Sequence, residues 1–403
     1  MSQNNDLKEK LFTRDFLFMC TANFMMSFSF YLLIPTLPFY LLETMHTSKT
    51  MVGIVLSSYT LAVLLVRPFS GFIADTFARK PVYLIAYFLF ASIFCGYLIA
   101  SMLTVFILLR ISHGLTFGIL STTGNTLVID IMPSSRRGEG LGYYGVMGNI
   151  AMATGPMAGL FLHDTVSFQW IFLTAAGTGF LGFVFATMVK APKKIPQKKE
   201  TVSLDRFILL KGMPAAVMLM LLAIPYAMTT TYIALSVADM DFPGNSGIFF
   251  SVMALGMILS RLSSGKKVDK GFITQNIRNG IIIGITGFFG EIFLHRVILW
   301  NDWAGLVLFY GIAGCIGYGF GTLFPALNTL FINLAPPNRR ATANSTYLTG
   351  WDVGIGTGVY LGGHLSEIRG FSFTYTIGTI LALIAIVWYL TYVIPHFNKN
   401  RLR

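Results

Sequence analysis

Twelve apolar stretches, each long enough to cross a bilayer as a helix, leave this chain very few ways to fold. They lie near 15–42, 50–74, 80–100, 103–131, 140–162, 168–190, 212–237, 246–265, 277–297, 303–332, 341–365 and 371–394. A span needs about 20 such residues, because a helix rises about 1.5 Å per residue through a core about 30 Å thick. Inside hydrocarbon the backbone must satisfy its own hydrogen bonds, which leaves helices or closed barrels. The roughly ten-residue polar and apolar alternation of barrel strands is absent, so the spans read as helices. At 54% hydrophobic and only 11% charged residues, with a mean hydropathy of +0.68, the chain has too few charges to coat a water-soluble globule of 403 residues. The expected fold is an all-α polytopic membrane protein.

The formal net charge of +12 would suit a nucleic-acid binder if the basic residues were spread over one surface. Sorted by loop, they follow topology instead. Of the 29 Lys and Arg residues, Lys49, Arg296 and Arg369 fall in loops of one side and Arg67, Arg110 and Arg261 fall inside spans. The other 23 share the side of the N-terminus, which predicts a plasma (inner) membrane protein with both termini cytoplasmic and no nucleic-acid partner. Cys20, Cys95 and Cys315 all lie in apolar segments and read as packing residues, with no metal cluster at ligand spacing. The first apolar run lacks a small-residue cleavage site and is followed by further spans, so it reads as a helix that is retained.

Residues 67–84, RPFSGFIADTFARKPVYL, mark where the second span stops and the third begins, and a weaker copy recurs 194 positions later as Arg261, Ser264, Gly265 and Asp269. A second register, offset by 203, superposes Pro133, Arg136, Arg137, Tyr144, Gly155 and Gly159 on Pro336, Arg339, Arg340, Tyr347, Gly358 and Gly362. Two related halves follow: a cytoplasmic tail (1–14), a six-helix bundle (15–190), a Lys-rich cytoplasmic linker (191–211), a second six-helix bundle (212–394) and a cytoplasmic C-terminal tail (395–403). In the second register Asn149 aligns with Asp352, and Val359 stands where the first half has Pro156.

The 67–84 stretch resembles the signature loop between helices 2 and 3 of the major facilitator superfamily, matched by Gly71, Ala74, Asp75, Arg79, Lys80 and Leu84, with Thr76 and Ala78 departing from it. In the fourth span Arg110, His113, Gly114, Phe117, Gly118 and Ser121 share one helical face and resemble that superfamily's helix-4 motif, with His113 in place of its glutamine. Gly142, Ala151, Gly155, Pro156 and Gly159 in the fifth span resemble the antiporter motif of the drug/proton branch, and the LIPTLPFYL ending of the first span resembles the same branch. The resemblance implies two pseudo-symmetric six-helix bundles that rock around a midplane site, in a proton-coupled exporter of small organic molecules of the drug-efflux or sugar-efflux-like type. It also implies a link between Arg110 and substrate or proton. An importer or lipid flippase on the same scaffold is the alternative; a membrane enzyme or sensor lacks support, because no clustered ligand set or phosphate-cradling loop is present.

Residue by residue, a guanidinium about 10 Å inside a span must face protein or water, which makes Arg110 a site candidate together with His113. Asp352, about 16 Å from the inner boundary, is the deepest acid, with Arg110 as the expected approaching cation. Glu291 lies nearer the outer boundary, where snorkelling is the expected fate. Asn23, Tyr31, Asn149, Tyr226 and Tyr232 are candidate cavity-lining groups. Gly71, Asp75, Arg79, Lys80, Asp130, Arg136, Arg137, Gly265 and Asp269 form the expected cytoplasmic gate, in which Asp75 pairs with Arg79, Arg136 or Arg137. Gly142, Gly155, Pro156 and Gly159 are expected to serve close helix packing. The expected partners are a small-molecule substrate, protons and lipids, with no cofactor beyond the proton gradient and a monomer as the working unit.

Overall fold

The computed structural model describes residues 10–133, 136–191, 208–238, 240, 242–269, 271–336 and 339–402. The side chains of Pro68, Asp75, 138–139, 262–269 and 340–341 also lie outside the described set. Among the described residues the regular structure is helical throughout.

The first half is built from α1 (Arg14–Leu33), a short α2 (Leu37–Phe39), α3 (Lys49–Thr76), α4 (Arg79–Ile99), α5 (Leu103–Ile131), α6 (Arg137–Thr165) and α7 (Phe168–Met188). The second half comprises α8 (Met213–Ala238), α9 (Ser246–Asp269), α10 (Ile273–Trp300), α11 (Asp302–Leu334), α12 (Arg340–Trp388) and α13 (Ile394–Asn400). The 49 residues of α12 are two spans, broken at Gly370, where φ is 76° and ψ is 174°. That left-handed φ is open to glycine at no steric cost. With α1 and α2 as one span and α12 as two, the described residues contain twelve apolar helical spans. Several helix starts follow from local chemistry: the hydroxyls of Thr13 and Ser48 each accept a backbone N–H of the first turn at 3.2 Å, and the Asn301 side chain accepts from Ala304 N at 2.9 Å.

The two halves pack alike. On α5, a Cβ at Gly114 would strike the carbonyl oxygen of Tyr59 on α3, and one at Gly118 would strike Val66 beside Val63. On α11, Gly317 and Gly321 stand 203 positions later and meet Met253, Met257 and Ser260 of α9, each 194 positions after its α3 counterpart. Both offsets read from the sequence therefore reappear as one helix crossing built twice. The α1–α6 crossing is likewise mirrored by α8–α12: a Cβ at Gly155 would lie 2.7 Å from Tyr31 Cβ, and one at Gly358 would lie 2.9 Å from Ala227 Cβ. Gly159 and Gly362 occupy the next turn, against Leu32 and Tyr232. Small residues at these points let backbones approach where lipid offers no hydrophobic drive. Gly142 and Gly71 do not share that role, since an added Cβ at either would meet nothing within 4 Å. Helix α6 runs without a break through Pro156.

Residues 10–14, 190–191, 208–212 and α13 meet on one end of the molecule, here the terminal face. Asp15 accepts the Lys190 backbone N–H at 2.8 Å. The segment read as a C-terminal tail forms α13 instead: Pro395 opens it, Lys211 O receives a 2.9 Å contact from His396 Nε2, and Leu402 N donates to Asn333 O at 2.9 Å. These ties pin α13 to the second bundle.

Candidate functional site

The bundles meet along α3 and the arm of α12 before Gly370, and again where α6 meets α9. Starting at the face opposite the termini, Glu367 Oε2 accepts the Thr50 backbone N–H at 2.6 Å, so a carboxylate of one bundle caps the first turn of a helix in the other. Thr50 Oγ1 also lies 3.3 Å from His364 Nδ1. The Thr50 hydroxyl and then its N–H hold the exposed Glu367 carboxyl below the usual carboxylate range. One to two turns further in, Gly363 lies against the Lys49 carbonyl and Gly53 lies so close to Tyr360 that a Cβ there would sit 2.9 Å from its carbonyl oxygen. Gly356 then lies beside Thr60, with a Cβ-to-side-chain distance of 3.1 Å.

The seam then reaches Arg67 and Asp352. Arg67 Nε donates to Asp352 Oδ2 at 2.6 Å, and Nη2 of the same guanidinium contacts the same oxygen. Arg67 stands nine residues before the end of α3 and Asp352 twelve residues after the start of α12, so both lie about 14–18 Å in from the terminal face. Their side chains are 12% and 15% exposed, which makes this a partly desolvated pair.

Aromatic residues flank it. Tyr31 and Tyr59 lie within electrostatic reach of Asp352. Tyr59 in turn carries Arg110 on its ring face, 4.6 Å from guanidinium carbon to centroid, and stacks on Phe30 at 4.9 Å. Arg110 is held on the Tyr59 ring and not on Asp352, with its Nη2 3.5 Å from Leu56 O and its Nε without a hydrogen-bond partner. On the other bundle, Trp351 joins Tyr226, Phe320 and Phe324, with ring centroids 4.5–5.2 Å apart for the Tyr226–Phe320, Tyr226–Trp351 and Phe324–Trp351 pairs. The Tyr226 hydroxyl crosses to Met152 Sδ of the first bundle at 3.6 Å.

Several sequence expectations need correction here. The cation that pairs with Asp352 is Arg67, not Arg110, because α3 rather than α5 lies along α12. His113 is fully buried in a cage of Phe90, Phe94, Tyr97 and Tyr59 inside the first bundle, with Tyr97 OH 2.9 Å from its Nδ1. Asn23 ties α1 to α6 by donating to Tyr144 O at 2.9 Å, Tyr232 ties α8 to α12 by donating to Val359 O at 2.8 Å, and Asn149 bonds its own helix at Gly145 O. The first two are packing contacts between helices, and the third leaves Asn149 half-buried on α6. Glu291 does not snorkel: it is 2% exposed, near Thr229 and Tyr375, with Oε1 lacking a partner. At the expected gate, Arg79 Nη1 grips both oxygens of Asp130 at 2.5 and 2.6 Å within one bundle, and Lys80 reaches Thr187 O at 3.1 Å. The Asp75 and Asp269 side chains lie outside the described residues, as does the surrounding of Gly265.

Arg67 is the residue that the sequence reading left without a role. The signal was present, since a guanidinium seven residues from the end of the 50–74 span incurs the same desolvation cost that singles out Arg110, and the signature stretch and its copy both begin with arginine, at Arg67 and Arg261.

Comparison with known proteins fits this geometry. The sequence profile of the Major Facilitator Superfamily matches residues 19–320 and 297–402. The chain belongs to that superfamily. As a member it is an integral membrane transporter, and its relatives include an export protein and a drug-resistance protein. It is 22% identical over 350 residues to the staphylopine export protein of Staphylococcus aureus strain Mu50, covering 84% of this chain and 86% of the relative. It is 24% identical over 362 residues to the quinolone resistance protein NorA of Staphylococcus aureus strain COL, covering 88% and 91%. Among solved structures, the nucleoside transporter NupG superposes with a TM-score of 0.72 at 17% identity, covering 95% of this chain and 99% of that one. This last likeness is one of fold.

Proposed function

We propose that this transporter is a proton-coupled exporter of small organic molecules working by alternating access, a functional monomer in the plasma (inner) membrane with both termini cytoplasmic. The observation that carries the reading is the interbundle pair of Arg67 and Asp352. A proton taken up by Asp352 removes the charge that holds Arg67, and the seam loses this electrostatic tie at the depth where a substrate would sit. Proton and substrate then compete for one carboxylate, which is the logic of exchange. No cofactor is required, since the proton gradient supplies the energy.

With the termini cytoplasmic, as the Lys and Arg distribution favours, the contacts from Glu367–Thr50 inward close the outer side. Outward opening then means parting α3 from α12, and the two bundles rock as bodies about the shared site. The export named for the staphylopine relative and the quinolone resistance named for the other support export as the direction.

The test is reconstitution. Purified protein in vesicles with an imposed pH gradient should move a labelled organic solute against its gradient, and Asp352→Asn should abolish the proton dependence. Transport that ignores the pH gradient in wild type, or a proton dependence that survives in Asp352→Asn, would defeat the reading.

A further inference from the structure

We propose that the site takes zwitterionic substrates, small molecules that carry an ammonium and a carboxylate beside an apolar body; this rests on the reading of Arg67 and Asp352 as the transport site. The argument is one of charge balance. The pair joins the bundles through Nε and Nη2 of Arg67 and one oxygen of Asp352, and both side chains keep some exposed surface. A substrate that binds at the pair must part it. A purely cationic ligand that takes Asp352 strands the Arg67 guanidinium in a partly desolvated seam, and a purely anionic one that takes Arg67 strands the Asp352 carboxylate. Removing one partner of a buried pair is costly because the remaining charge stays uncompensated. A ligand bearing both charges replaces both partners at once: its ammonium faces Asp352 and its carboxylate faces Arg67.

Other charged groups nearby do not supply the missing compensation. Arg110 is held behind the Tyr59 ring and is itself a cation. His113 is enclosed by rings of the first bundle and bonded to Tyr97. Glu291 is buried in the second bundle beside Thr229 and Tyr375. The apolar body has an aromatic neighbour on each bundle, Tyr31 within electrostatic reach of Asp352 on one and Trp351, the residue before Asp352, on the other. A site that must satisfy two buried charges rejects an analogue lacking either one far more strongly than it rejects a change in apolar bulk. Coupling follows too, since a proton on Asp352 displaces the substrate's ammonium.

The experiment uses three probes that share an indole and differ in which charged groups they carry: L-tryptophan with both, tryptamine with the ammonium and indole-3-propionate with the carboxylate. Binding to the full chain in detergent is measured by calorimetry for wild type, Arg67→Gln, Asp352→Asn and the double variant. Tryptophan should bind wild type at least about tenfold tighter than either analogue. Arg67→Gln should shift the preference to tryptamine, Asp352→Asn should shift it to indole-3-propionate, and the uncharged double variant should discriminate among them little. Equal or better binding of a singly charged analogue to wild type overturns the inference, as does the absence of tryptophan binding. Should a single variant fail to fold, the wild-type ranking and the double variant still decide it. Coupled flux in vesicles is judged separately with other solutes, so loss of the zwitterion preference with retained coupling refutes this inference and leaves the transport reading standing.

Discussion

Arg67 Nε and Asp352 Oδ2 lie 2.6 Å apart on helices of different bundles, the innermost polar contact of a seam that begins at Thr50 and Glu367. Each half of the pair is more useful bound than free. Full burial of an unpaired partner costs about 3–5 kcal/mol, and the residual exposure of both groups brings the expected figure below that range. Arg67→Gln and Asp352→Asn should each lower the thermal stability of the detergent-solubilised protein. The double variant should recover part of the loss, with a coupling of about 1–3 kcal/mol in the cycle. Purely additive losses would mean that the contact carries no net energy.

The opposite face offers a prediction about pH. Hydrogen bonds from Thr50, first its hydroxyl and then its N–H, hold the Glu367 carboxyl below its ordinary range while the seam is shut. When the seam parts, Glu367 loses those donors and returns to that range. The sign follows: a depressed carboxyl stabilises the shut seam above its open-state pKa, and that contribution is lost as the pH falls through the shut-state value. Acidification should therefore widen the gap, read as the distance between spin labels at Thr44 and Arg369 in a chain whose native cysteines are replaced. Glu367→Gln should flatten the response; an unchanged pH profile in that variant would rule the carboxylate out.

Much of this architecture was legible because its cause is local. Span number follows from apolar length, and the twofold repeat follows from offsets of 194 and 203 that reappear as Gly114 and Gly317 packed on Tyr59 and Met253. The partner of Asp352 was not legible. Depth along a helix can be counted, but which helix lies alongside depends on how the bundles close, and that is fixed by contacts such as Gly53 with Tyr360 that carry no chemical signature in the sequence. Arg110 and His113 were found for the right reason, the cost of burying polar groups, and were assigned the wrong company. Phe and Tyr are so common in the spans that the cage around His113 could not be told from lipid-facing rings.

The glycine crossings can be tested against each other. A Cβ at Gly114 or Gly317 would strike a backbone carbonyl on the neighbouring helix, which cannot swing aside as a side-chain tip can. Gly114→Val and Gly317→Val should each destabilise the protein by about 1–3 kcal/mol. Gly142→Ala, at a motif position where the added carbon meets nothing within 4 Å, should stay within about 0.5 kcal/mol of wild type. Thermal unfolding in detergent separates the cases; a Gly142→Ala loss as large as that at Gly114 would point to a contact made only in another state of the transport cycle.

Arg110 poses a different question, because its charge is met by an aromatic face where a carboxylate would be expected. The guanidinium carbon lies 4.6 Å from the Tyr59 centroid, and the ring is fixed from behind by Phe30. Such a contact is worth about 0.5–2 kcal/mol, more when desolvated, and it favours the flat guanidinium over an ammonium. Arg110→Lys should therefore cost stability despite keeping the charge, and Tyr59→Leu should cost a similar amount. The two changes together should cost less than their sum, since the same contact is lost only once. If Tyr59 also relays the position of Arg110 to the ion pair, Tyr59→Leu should alter how strongly pH drives transport, while Tyr59→Phe, which keeps the ring and removes only the unpartnered hydroxyl, should not. Vesicle transport rates across a pH series for these two variants provide the measurement, and equal behaviour of Tyr59→Leu and Tyr59→Phe would show that the ring face has no part in coupling.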